Sequence, residues 1–150
     1  MTKCLSLLAL SLAACGGGGG GGGPSAAPVT SSPLAVSAFM KAAADSNLAR
    51  MAELWGTSQG SASATHPANY EKRLIVMQAY LRGDSTRILS DTPMPGDDNR
   101  RKVAMVLYRG TCVKQIPVVT VRTKDGWIVQ QVDITFAGNP ARPCDPGTEP

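Results

Sequence analysis

Eight consecutive glycines, Gly16 to Gly23, set the strongest limit on what this chain can fold into. Glycine has no side chain to bury and loses more conformational freedom on ordering than any other residue, so the run can neither seed a core nor sustain a helix. It separates a short apolar leader from a longer C-terminal part. The low-complexity composition continues through Pro24, Pro28 and Ser31 to Ser32. Residues 16–32 therefore read as a flexible tether with a root-mean-square reach of roughly 20–25 Å. The C-terminal part beyond it is about the size of one domain.

The leader carries one cation, Lys3, and then runs uncharged from Cys4 through Ala14. A basic start and a short apolar run are the layout of an export signal. The run is too short for a hydrocarbon core of about 30 Å, which takes roughly 20 apolar helical residues. Its end, Leu12-Ala13-Ala14-Cys15, resembles the bacterial lipobox. That resemblance implies that residues 1–14 are removed and that Cys15 becomes a diacylglyceryl-modified, fatty-acylated (palmitate-type) N-terminus. Several acyl chains, at about 0.8 kcal/mol per buried methylene, hold a protein stably at a bilayer where one does so marginally. Gly16 comes directly after Cys15, whereas lipoproteins retained in the inner membrane resemble one another in having Asp there. The implied address is the cell envelope, at the outer membrane facing the periplasm.

Fifteen Lys and Arg stand against eleven Asp and Glu, and the excess of four falls by one when Lys3 leaves with the signal. The densest basic cluster, Arg100-Arg101-Lys102, comes just after Asp97-Asp98 and is largely offset by it. Nucleic-acid binding calls for a more basic, aromatic-interleaved stripe, so it is not expected. Of four cysteines, Cys112 and Cys144 remain once Cys4 is cleaved and Cys15 acylated. An even pair in an oxidising compartment suggests a disulfide, with two free thiols as the alternative. Two Cys and His66 have no metal-ligand spacing, so neither a metal nor a cofactor is implied.

Beyond the tether, Ser32-Pro33 reads as an N-cap and first helical residue, succeeded by Leu34, Val36, Phe39, Met40 and Ala43 at near-helical spacing. Asp45-Ser46-Asn47 interrupts and can cap a second short helix bearing Leu48, Met51, Ala52 and Trp55. Residues 56–66 read as a polar loop. Tyr70, Leu74, Met77 and Leu81 mark a helix over residues 68–82, with Gly83 as its C-cap. Thereafter the pattern is β: strands over residues 86–90, 102–109, 113–123 and 127–134, with a long turn over 93–99. Pro117 is expected at an edge or bulge, Lys124-Asp125-Gly126 at a tight hairpin. Apolar parity changes between Trp127 and Val129 on one side and Val132 and Ile134 on the other, which predicts a bulge or burial on both faces.

The order of helices, then strands, predicts an α+β fold with N-terminal helices packed on a curved antiparallel sheet of about four strands. The organisation is residues 1–14 signal, 15–32 acylated Cys and tether, 33–137 domain, and 138–150 irregular tail. The segment Phe39-Met40-Lys41-Ala42-Ala43-Ala44-Asp45-Ser46-Asn47 leading to Trp55, with the final Asp125-Gly126-Trp127-Ile128-Val129 hairpin, resembles the nuclear-transport-factor-2-like superfamily of α+β cones. The likeness covers about residues 34–136 and extends to small bacterial lipoproteins of unassigned function. It implies a pocket between sheet and helices that some members use for catalysis and others for binding, so fold alone does not decide activity.

Acid/base candidates are Asp133 on the last strand, Tyr108 on the second and His66 in the loop. Each has a plainer reading: a strand-end carboxylate, an amphipathic sheet residue, a helix-entry residue. Phe39, Trp55, Met77 and Trp127 are pocket-lining candidates, though a closed core explains them more simply. The leading expectation is a membrane-tethered, non-enzymatic accessory module that meets a small apolar ligand or another envelope protein. A small hydrolase or isomerase using Asp133 and Tyr108, and a purely structural surface lipoprotein, are the alternatives.

Overall fold

A computed structural model describes residues 27–145; the signal segment, Cys15 and the glycine run lie outside the described residues. The chain is α+β, with helices packed against a four-stranded antiparallel sheet and a small two-stranded sheet beside them. Helix α1 (Ser32–Ala44) and helix α2 (Leu48–Leu54) are followed by the short strands β1 (Gly56–Thr57) and β2 (Gly60–Ser61) and one turn of helix, α3 (Ala62–Thr65). Helix α4 (Tyr70–Leu81) leads into β3 (Ser85–Met94), β4 (Asp97–Arg109), β5 (Cys112–Thr123) and β6 (Gly126–Val132), which pair in sequence order, and a 3₁₀ turn closes the fold at Ile134–Ala137. No helix among the described residues is long and apolar enough to cross a membrane.

Helix α1 touches α2, α4 and all four strands of the large sheet, so its inward face decides the packing. That face is Ala35, Val36, Phe39, Met40, Ala42 and Ala43, all buried. Its small residues let the helix axis approach the strands closely, and Leu34, expected inward, is 55% exposed. Nor is Ser32 the cap: Ser31 takes that position, while Ser32 is buried with its Oγ 2.6 Å from Thr120 Oγ1 on β5. Each hydroxyl satisfies the other, which is what makes burial of both tolerable. Asn47 does cap α2, its Oδ1 accepting from the Arg50 backbone N–H. In α4, Leu74, Met77 and Leu81 are buried as their spacing predicts.

Three connections differ from the sequence expectation. The polar segment 56–66 is folded, its two short strands paired Gly56 to Ser61 and Thr57 to Gly60. The long turn over 93–99 is instead a tight hairpin, because β3 runs on to Met94 and β4 begins at Asp97. Arg82, not Gly83, ends α4. Gly83 is needed for space: a Cβ there would lie 2.5 Å from Leu107 Cδ1 and 2.8 Å from the Tyr108 carbonyl oxygen.

The parity change in β6 is a bulge. Val119 pairs with Gln131 and Thr120 with Val129, leaving Gln130 as the extra residue. Its carbonyl accepts from Trp55 Nε1 at 3.1 Å, and Trp55 itself bridges to Val129. Pro117 sits where its missing donor does no harm. Its carbonyl faces the β6 side, accepting from the Asp133 backbone N–H, and the β6 ladder has already ended at Val132.

Ordered contacts begin ahead of Pro33, since the Val29 carbonyl accepts from Trp127 N at 2.9 Å. Gly126, at φ +117°, permits this approach; a Cβ there would stand 2.6 Å from the same oxygen. At the other end, Cys112 and Cys144 form a disulfide with Cα atoms 5.0 Å apart, tying the irregular C-terminal segment to the start of β5.

Arg109 locks the end of α4 to the sheet and to the 3₁₀ turn. Its guanidinium donates to the carbonyls of Arg82 and Ala137, each at 2.7 Å, and to that of Tyr80. Partial burial lowers its pKa below the ordinary value, but a guanidinium remains cationic near neutral pH. Arg109→Met, which keeps the aliphatic stem and removes the donors, is expected to cost about 2 kcal/mol in denaturant unfolding. Arg109→Lys should recover only part of it, because an ammonium's three donors share one nitrogen and lack the spread of the guanidinium fork that reaches both the end of α4 and the 3₁₀ turn. A Met variant as stable as wild type would show that solvent satisfies those carbonyls equally well.

Candidate functional site: an aliphatic groove with a cationic rim

The residues proposed from sequence for acid/base chemistry are not brought together. Asp133 N-caps the 3₁₀ turn, its Oδ1 accepting from Thr135 N at 3.2 Å and from Thr135 Oγ1 at 2.5 Å. Tyr108 pairs with Val113 near the start of β5, whereas Asp133 bonds beside Pro117, about 13 Å farther along that strand. Tyr108 also points away from the helices, because its neighbour Leu107 enters the core and side chains alternate across a strand. His66 is exposed and in the left-handed conformation that ends α3, its ring edge-on to Tyr70 at 5.8 Å. Short polar and imidazole side chains are among the non-glycine residues that tolerate this conformation.

Phe39, Trp55 and Met77 belong to one buried cluster, at 1%, 5% and 8% exposure, and fill the space between helices and sheet. Trp127 stands apart, half-buried at the outer end of β6. An open interior pocket lined by these four is therefore not what they build. The sheet face away from the helices interleaves Val106 and Val113 with exposed Arg87, Lys102 and Gln115, which breaks up its apolar surface.

Among the described residues, clefts open on the surface in at least three places. One of about 330 Å³ lies near Arg50 and Glu53, which pair at 2.6 Å. A second, of about 240 Å³, lies between the end of α1 and the start of β3, where Lys41 and Asp45 pair at 2.7 Å. In both, the lining cation is paired with a carboxylate of the protein. The third differs. Val76 and Met77 of α4 face Val132 and Ile134 at the exit from β6 across a groove of about 310 Å³, bordered by Lys72 and Arg73. Among the described residues neither cation has a carboxylate within ion-pair distance.

Local structure explains the groove. The bulge at Gln130 shifts the strand's parity and places Val132 and Ile134 against the core margin beside α4. Arg73 lies over the Trp55 ring, its Cζ 4.6 Å from the ring centroid, a cation–π contact that fixes the guanidinium plane. Trp55 is in turn held by its bond to the Gln130 carbonyl. Sequence reading missed this site. Its signals in the chain are Met77, one of the pocket-lining candidates and a residue of this groove, and the parity change at Val132 and Ile134; nothing in linear order places Lys72 and Arg73 beside them.

No protein-family model, curated protein or solved structure matches this chain. The groove's geometry alone thus informs its chemistry. It offers aliphatic surface, a thioether and two fixed or flexible cations. It offers no nucleophile with an adjacent base, and no cluster of three or more His, Cys, Asp or Glu able to hold a metal occurs among the described residues.

Proposed function

We propose that this protein is a membrane-tethered, non-enzymatic binding module of the bacterial cell envelope, anchored through an acylated Cys15 and binding through the groove between α4 and the end of β6. The observation that carries the binding half is that groove: aliphatic surface beside two cations that have no carboxylate partner among the described residues, next to a core that is itself filled. The tether half rests on Lys3, the uncharged run to Ala14, the lipobox-like Leu12-Ala13-Ala14-Cys15 and the glycine run after it. The hydrolase or isomerase alternative draws no support from the geometry, since Asp133 is occupied in capping and Tyr108 faces away. The likeness to the nuclear-transport-factor-2-like superfamily is in keeping with the helix-on-sheet layout, and belongs to this proposal.

Fractionation of cells tests the tether. The wild-type protein is expected to stay with membranes through a high-salt wash, whereas Cys15→Ala should release it or leave an uncut precursor. Salt weakens electrostatic adhesion and not acyl insertion, so the wash separates the two. Unchanged processing and retention in the variant would overturn the anchor.

A further inference from the structure

We propose that the groove takes a single-chain anionic amphiphile, an acyl chain ending in a carboxylate or phosphate, with the chain over Val76, Met77, Val132 and Ile134 and the head group between Lys72 and Arg73. This inference rests on the binding-module reading and names the ligand class of the same site.

The floor sets the chain. All four floor residues are aliphatic or thioether, and Met77 can adjust its three rotatable bonds to a flexible ligand. No aromatic residue lines the groove, and the Trp55 face beside Arg73 is covered by that guanidinium. A volume of about 310 Å³ lies at the small end of ligand sites, which suits a narrow chain better than a rigid polycycle.

The rim sets the head-group charge. Lys72 and Arg73 are both exposed, and the acidic residues that adjoin groove residues in the chain, Glu71 and Asp133, form no ion pair with them. Asp133 is bonded to Thr135, and Glu71 projects from the opposite side of α4 to Arg73 by helical geometry. Stacking on Trp55 orients Arg73 before any ligand arrives while leaving its N–H edge for an anion, so less ordering entropy is lost on binding. The surface is concave, its floor reaching the nearly buried Met77. Ile75, the more exposed of the two large apolar side chains that α4 exposes, at 52%, stands outside it. A flat bilayer contact would call on Ile75, whereas a dispersed chain lying in the groove does not.

The test uses the full chain carrying Cys15→Ala, which has no acyl groups of its own to compete for the groove. Methyl groups of Met, Ile and Val are followed by NMR during titration with decanoate below its micelle concentration, and in parallel with decyltrimethylammonium and phosphatidylglycerol vesicles. Decanoate is expected to shift Val76, Met77, Val132 and Ile134 saturably, and the cationic analogue to bind about fivefold more weakly. Lys72→Gln with Arg73→Gln should weaken decanoate by a similar factor while the core methyls of Val103 and Ile116 stay in place, showing an intact fold. Equal affinity for the two head groups, shifts centred on Val113 of the outer sheet face, or a response to vesicles alone would each overturn the proposal. A null result with decanoate beside Cys15-dependent membrane retention would remove the ligand and leave the tether standing, and loss of that dependence would leave a positive groove titration intact.

Discussion

Phe39→Ala is expected to destabilise the domain by about 3–5 kcal/mol, the range for removing an aromatic ring from a packed core. Phe39 is 1% exposed, on the one helix that touches α2, α4 and all four long strands. The buried cluster it belongs to is drawn from several elements. Val36 and Ala43 lie on the same helix face, and Met51, Leu74 and Met105 come from three other elements. Collapse into the cavity is therefore limited, which puts the cost toward the upper part of the range. A single domain has roughly 5–15 kcal/mol in all, so the variant should unfold at a much lower denaturant concentration and fold only marginally at growth temperature. A loss under about 1 kcal/mol would mean that the space around Phe39 is not packed as described.

Opening the disulfide is the second large effect. Cys112 and Cys144 enclose a separation of 32 residues. In the chain-entropy treatment, closing a loop of that size stabilises by about 3–4 kcal/mol through restriction of the unfolded state. The loop contains most of β5, all of β6 and the 3₁₀ turn, and among the described residues the C-terminal segment is otherwise tied to β5 by Lys114 Nζ donating to the Asp145 carbonyl, while the Arg142–Asp145 pair at 3.3 Å is internal to it. Those contacts are exposed and weak. The double variant Cys112→Ser, Cys144→Ser should lower the unfolding free energy by about that amount and free the segment after Gly138 to proteolysis. Addition of a thiol reductant to the wild-type protein should reproduce the shift and leave the double variant unaffected. Equal stability with and without the bond would show that the segment contributes nothing to the fold.

Much of the architecture is legible in the chain. The 3.6-residue spacing of Leu74, Met77 and Leu81, the capping Asn47 and the alternation through β4 and β5 each act over a few residues, and local rules suffice for them. What the chain conceals depends on how closely elements approach. Apolar size suggests that Leu34 turns inward, but α1 lies so near the sheet that Ser32, Ala35 and Ala43 are what fit. Gly83 reads as a helix stop and is instead a place where Leu107 leaves no room for a Cβ.

The groove is hidden for a related reason. Lys72 and Arg73 look like ordinary surface cations of a helix, and Val132 and Ile134 like the end of a strand. Only the bulge at Gln130 and the packing of Met77 bring them together. Asp133 illustrates the converse. Sequence offers it as an acid/base candidate or, more plainly, a strand-end carboxylate, and it forms a local cap, a role short polar side chains take wherever the backbone offers a free N–H.

The central claim is that a binding module is held at a membrane by acyl chains on Cys15, and intact-mass analysis of the membrane-extracted protein tests it most directly. The account predicts a chain beginning at Cys15, without residues 1–14, and heavier than its polypeptide mass by a diacylglyceryl group with or without a further amide-linked acyl chain. A chain that keeps Met1, or one cut at Cys15 but bearing no lipid, would contradict it.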